Sequence, residues 1–136
     1  MSLFNILNIA GSAMTAQSEK INIISTNLAN ADSVIYKNGK YYPYIAKRVI
    51  FKSSNLNQQG VGGVKVASIV NDKNPIQMIY DPNHPLSNEK GYVLKSNINP
   101  ITATIDHISA SRAYQANIEV LKTAKNMILK TLSIGE

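Results

Sequence analysis

The sequence predicts an α+β protein in which long N- and C-terminal helices form a coiled-coil-like helical domain and a small β-rich domain is inserted between them. Three observations carry this expectation. Apolar residues recur at helical spacing at both ends, apolar and polar residues alternate in the middle, and four of the five prolines fall in that middle stretch. The implied division is 1–33 for the first helix, 34–99 for the β-rich part and 100–136 for the second helix.

In the first element the apolar positions are Leu7, Ala10, Met14, Ile21, Ile24, Leu28 and Ala31, with Gln17 filling the one polar step. The spacing alternates between three and four residues, a heptad seam suited to packing against other helices. Asn27, Asn30 and Asp32 supply the turn-favouring chemistry that ends such a helix near residue 31. Asn27 and Asn30, one turn apart, can fix register between subunits or simply cap the helix end.

In the middle, 45–52, 64–70, 76–80 and 91–95 read as short strands bounded by Asn, Gly, Pro and Ser. Asn38-Gly39 is a hairpin signal and 81–85 a proline-stiffened loop, so the middle is expected to be a compact β module.

The last element has Asn99 as a cap, Pro100 at the first helical position and Gly135 past the end. Ile118, Leu121, Ile128 and Leu132 make its seam, with Lys125 as the polar exception. Ile105 and Ile108 extend the apolar face upstream, and Val120, Ala124 and Met127 broaden it. Such a helix runs ~30 residues, about 45 Å at the α-helical rise. A β module of about 65 residues cannot cover two faces of that length, so the helices are expected to complete their burial only in an assembly.

Composition removes most chemistry. There is no Cys and no Trp, which excludes a disulfide framework, a thiolate metal site and a cysteine nucleophile. His84 and His107 have no second ligand at zinc-like spacing, and 81–89 lacks the acidic ladder and the glycine of a calcium loop. Gly60-Val61-Gly62-Gly63 is followed by no Gly-Lys-Ser/Thr and reads as a hinge or bulge, not a phosphate cradle. Ser109, Ser111 and His107 lack a nucleophile turn and an oxyanion hole. The reading is no enzyme, no catalytic residue, no metal and no cofactor.

The net charge of +6 sits in 34–99, where nine basic residues meet three acidic ones. Four tyrosines interleave with Lys and Arg over 36–48, the mixture that meets phosphates and stacks on bases. Asn, Ile and Lys together make 46 of the 136 residues while Arg occurs twice, a skew that looks like AT-rich coding bias and takes weight from arguments based on the number of lysines. A nucleic-acid binder or adaptor dimerising through its helices is the minority alternative. No apolar run approaches the ~20 residues of a membrane span, and no cleaved signal peptide is expected.

Several segments carry a resemblance. Residues 9–18 and 25–33, then 62–68, 80–86 and Gly91-Tyr92-Val93, and finally 108–121 with 128–132, resemble the rod and hook proteins of the bacterial flagellar axial family. The likeness touches all three parts of the chain and is greatest for subunits of the proximal rod. Tyr36–Tyr44 and the opening Asn99-Pro100 of the last helix depart from the family pattern. The resemblance implies a structural subunit of the proximal rod of the flagellar basal body, the drive shaft that transmits torque across the periplasm. It implies synthesis in the cytoplasm, export through the flagellar type III apparatus and terminal helices lining the export channel. The partners implied are other rod proteins, hub subunits at the rod base and further copies of the chain, with no small-molecule substrate. The residues expected to pack helices and subunits together are Leu7, Ala10, Met14, Ile21, Ile24, Asn27, Leu28, Asn30, Tyr114, Gln115, Asn117, Ile118, Leu121, Ile128 and Leu132.

Overall fold

A computed structural model describes residues 3–55 and 62–135. The chain opens with helix α1 (Leu3–Ala29) and closes with helix α2 (Pro100–Ile134). Between them lie six strands, β1 (Val34–Lys37), β2 (Lys40–Pro43), β3 (Lys47–Asn55), β4 (Gly62–Asn71), β5 (Gln77–Tyr80) and β6 (Tyr92–Lys95).

The two helices run antiparallel and side by side. Residues Lys20 to Asn27 share one depression with Asn99 to Asp106, and Gly11 to Glu19 share another with Tyr114 and Leu121. The side chains buried along the pair are small: Ala10, Ala110 and Ala124 are each no more than 3% exposed, with Ile24 the largest apolar group among them. Alanine lets helix backbones approach, which gains close packing along the seam while burying little area per residue. Asn99 caps α2, its side-chain oxygen accepting the N–H groups of Ile101 and Thr102, and Pro100 occupies the first turn where its missing N–H costs nothing.

The six strands form three separate antiparallel ribbons, β1–β2, β3–β4 and β5–β6, where the alternation had suggested one compact module. Alternation identifies a strand but not its partners, and each ribbon here keeps residues exposed on both faces. Asn38 and Gly39 both take positive φ, so the expected hairpin turn joins β1 to β2. The β3–β4 ribbon is the longest, with a bulge at Ala67 where Ile50 pairs with Ser68 and Phe51 with Val66, and it packs along α1. Gly60 and Val61 of the glycine-rich stretch lie outside the described residues, while Gly62 and Gly63 begin β4.

Gly91 has φ +78°, and a β-carbon there would stand 2.9 Å from the Tyr80 ring and 3.3 Å from Pro82, so the turn into β6 requires glycine. The molecule exposes 9787 Å², against roughly 7,000 Å² for a compact monomer of this mass. The excess is total area, and the exposed large apolar residues such as Ile101, Ile105, Met78 and Tyr80 contribute to it.

Candidate functional site

The surface that matters is the pair of helix seams and what flanks them. On α1 every position of the heptad seam is covered at least in part: Ala10 and Ile24 are buried, and Leu7, Met14, Gln17, Ile21 and Leu28 are half-buried. The Gln17 side-chain oxygen is buried without a hydrogen-bond partner among the described residues, a polar cost carried by the middle of the seam. A narrow outward stripe, Asn8, Thr15, Ser18, Asn22, Ser25 and Ala29, stays exposed and is mostly polar.

A second covered face of α1 meets the β3–β4 ribbon. Ser12 donates its hydroxyl to the Ile9 carbonyl at 2.8 Å and accepts the Val64 N–H at 3.1 Å. Asn27, 9% exposed, uses its amide as a short stretch of strand backbone. Its oxygen accepts the Lys47 N–H at 2.9 Å, its nitrogen donates to the Lys47 carbonyl at 2.8 Å, and the Tyr44 hydroxyl donates to the same oxygen at 3.1 Å. Burial raises the Tyr44 pKa, because losing water disfavours the phenolate. Asn30, half-buried, donates its side chain to the Thr26 carbonyl at the helix end.

Helix α2 is different. A covered seam runs through Ala103, His107, Ala110, Tyr114, Asn117, Leu121, Ala124 and Ile128, again spaced alternately by four and three, with half-buried Ser111 and Ala113 beside it. Tyr114, Asn117, Leu121 and Ile128 of the expected set lie on this seam, with half-buried Ile118 flanking it. Asn117 donates to the Ala113 carbonyl of its own helix. Gln115 faces solvent and Leu132 is 65% exposed, so α1 covers neither. Ile101, Ile105, Ile108, Val120, Met127, Leu129 and Ile134 are exposed as well. The seam phase expected upstream from Ile105 and Ile108 is thus displaced: those two point away from α1, while Ala103, His107 and Ala110 face it.

Residues the sequence did not single out hold the junction together. The Asn97 side chain accepts the Ala46 N–H at 2.9 Å and donates to the Asn74 carbonyl at 3.0 Å, tying the strand connections to the start of α2. Ser12 and Tyr44 fall in segments noted for other reasons, the resemblance over 9–18 and the tyrosine-rich stretch, and neither context marks them as contacts between α1 and the strands. On the tyrosine-rich hairpin, Tyr36 and Tyr41 pack on each other at 4.8 Å between ring centres, and Arg48 lies 3.6 Å from Asp72. Among the described residues no group of three or more metal-ligating side chains comes together, and no helix is long and apolar enough to cross a membrane. Chemically, the arrangement offers surfaces for association.

Comparison with known proteins agrees with that character. Residues 7–37 match the family described as flagella basal body rod protein, and residues 89–134 match the C-terminal family of flagellar basal body rod FlgEFG proteins. The chain is 70% identical to the flagellar basal-body rod protein FlgC of Buchnera aphidicola subsp. Schizaphis graminum, over the whole of both chains. It is 48% identical to FlgC of Salmonella typhimurium and 47% identical to FlgC of Escherichia coli O6:H1, each over the full length of both.

Proposed function

The chain belongs to the flagellar basal-body rod protein FlgC family, a structural and non-enzymatic component of the flagellar basal body, and from that premise we propose how it builds the rod. It is a subunit of the proximal rod, made in the cytoplasm, passed unfolded through the flagellar type III apparatus and assembled in the periplasm. There it transmits torque and lines the export channel, meeting other rod proteins, the hub subunits below and its own copies. The helices act together as one coiled-coil-like unit over 1–33 and 100–136, with the ribbons of 34–99 as the second unit.

The observation that carries this reading is the uncovered apolar back of α2, from Ile101 at 73% exposure to Ile134 at 85%. The exposed apolar residues form two groups, Ile101, Ile105 and Ile108 near the start and Val120, Met127, Leu129, Leu132 and Ile134 toward the end, and apolar groups left uncovered in this way support a site of association. Leu7, Ala10 and Met14 pack toward Leu121 and Ile128 within the subunit, with Ile118 at their edge, while Ile24, with Ile21 and Leu28 on either side of it, faces the opening turns of α2 around Asn99 to Asp106. Gln115, Leu132 and Asn30 meet neighbouring subunits, while Tyr114 and Asn117, on the seam, pack between the two helices of the subunit. Asn27 serves within the chain first, and reaches neighbours only through the ribbon it holds.

The decisive experiment is an image of isolated basal bodies with this chain placed in density. The expected result is α2 turned toward adjacent subunits. A chain that stays monomeric at high concentration and also ignores added rod components overturns the reading.

A further inference from the structure

The β3–β4 ribbon touches α1 through two polar fastenings, and their spacing is the informative quantity. On α1, Ser12 and Asn27 stand fifteen residues apart, about 22 Å of α-helix. On the ribbon, the fastened groups are Val64 of β4 and Lys47 of β3, and Lys47 pairs with Asn71. From Val64 to Asn71 is about 20–23 Å of strand, the bulge at Ala67 accounting for the shorter figure. Two elements with different rise per residue therefore present attachment points at the same separation. Between the fastenings Ala16, 3% exposed, and Ile23 lie on the same helix face, and the absence of a long side chain at 16 lets the ribbon come close.

One fastening would be a pivot, about which the ribbon could swing; two at matched separation remove both swing and slide. A two-stranded ribbon is marginal in water by itself, so it takes its rigidity from what it is fixed to. We propose that Ser12 and Asn27 are positioning residues that clamp the β3–β4 ribbon onto α1 as a stiffening stave, so that helix and ribbon twist as one body. The mechanical consequence rests on the rod reading above; the clamp itself does not.

The test uses the full chain. In the purified protein, Ser12→Ala speeds amide exchange about tenfold over 62–66 and Ser12→Thr, which keeps the hydroxyl, restores it. Asn27→Ala does the same over 47–49, and the double variant loses protection along both strands while the α2 amides between 110 and 124 keep theirs. Ribbon exchange unchanged in both single variants overturns the clamp, as does a double variant whose loss is confined to the two fastened amides.

In a flagellated strain whose rods are built from this chain, the double variant assembles rods and swims at low viscosity but falls at least twofold in speed under viscous load. Equal swimming at every viscosity overturns the stiffening role. Failure of the unaltered chain to form rods overturns the rod reading instead, and exchange in the purified chain still decides the clamp.

Discussion

Helix α1 and helix α2 carry similar repeats and end up in opposite situations. α1 is sandwiched: α2 covers one side, the β3–β4 ribbon another, and the remaining stripe is mostly hydroxyl and amide, with Phe4 as its one exposed large apolar residue among those described. α2 has α1 on one side, while its back and C-terminal end present Ile101, Ile105, Ile108, Val120, Met127, Leu129, Leu132 and Ile134 to solvent. The difference separates two tasks. α1 organises the subunit, and under the proposed assembly α2 is the helix expected to meet others. A residue buried in the isolated chain should therefore matter for folding, and one exposed on α2 for assembly.

The comparison breaks most visibly at Ile24, which is 8% exposed in the seam. Ile24→Asp places an unpaired carboxylate among apolar neighbours, and the isolated chain should lose about 3–5 kcal/mol, read from urea unfolding followed by helical circular dichroism. Motility should disappear with it. Unaltered stability would mean that α1 is not the organising helix.

A smaller loss, about 1–3 kcal/mol, is expected for Gly91→Ala, because the new methyl meets Tyr80 at a positive φ. Since β5–β6 touches neither helix seam, its amide exchange should rise while that of α1 stays put. Asn99→Ala removes the cap of α2 and should cost about 1 kcal/mol, with fraying confined to the first turn of that helix.

The sharpest separation comes from Ile105→Asp or Leu132→Asp. Each residue is already more than half exposed, so the monomer should change by less than about 0.5 kcal/mol while incorporation into rods fails. Incorporation at the normal level would remove the division of labour between the helices.

The mildest effect is alkaline. The folded pKa of Tyr44 is raised above its unfolded value, so its contribution is fully present below that value and fades as pH rises through the folded one. The Tyr44 contribution should be constant near neutrality and fall only above about pH 10, and Tyr44→Phe should remove that part of the decline.

Much of this arrangement was legible in the residues, and the exceptions have physical causes. The seam from Leu7 to Leu28 was readable because the outward stripe of α1 is polar, so period and phase agree. On α2 the period was readable but the phase upstream was not. Ile105 and Ile108 are the more hydrophobic letters, yet α1 is met by Ala103, His107 and Ala110. When the outer face is also apolar, hydrophobicity stops distinguishing inside from outside, and small residues chosen for close approach carry no apolar signature.

The hairpin turn at Asn38-Gly39 could be read because only certain residues tolerate positive φ. The separation into three ribbons could not, since pairing is decided by contacts distant in sequence. Asn27 shows the same limit: its polarity suggested an end or an interface, but nothing local reveals that Lys47, twenty residues on, supplies both of its backbone partners.

Beyond Ile128, every residue of α2, from Leu129 to Ile134, is exposed, as is Gly135 that caps it. A stretch that short holds helical shape poorly without side support in water. The tail should therefore act as an occupancy gauge, its amides exchanging faster than those of 110–124 in a solitary molecule and slowing once a neighbour has arrived.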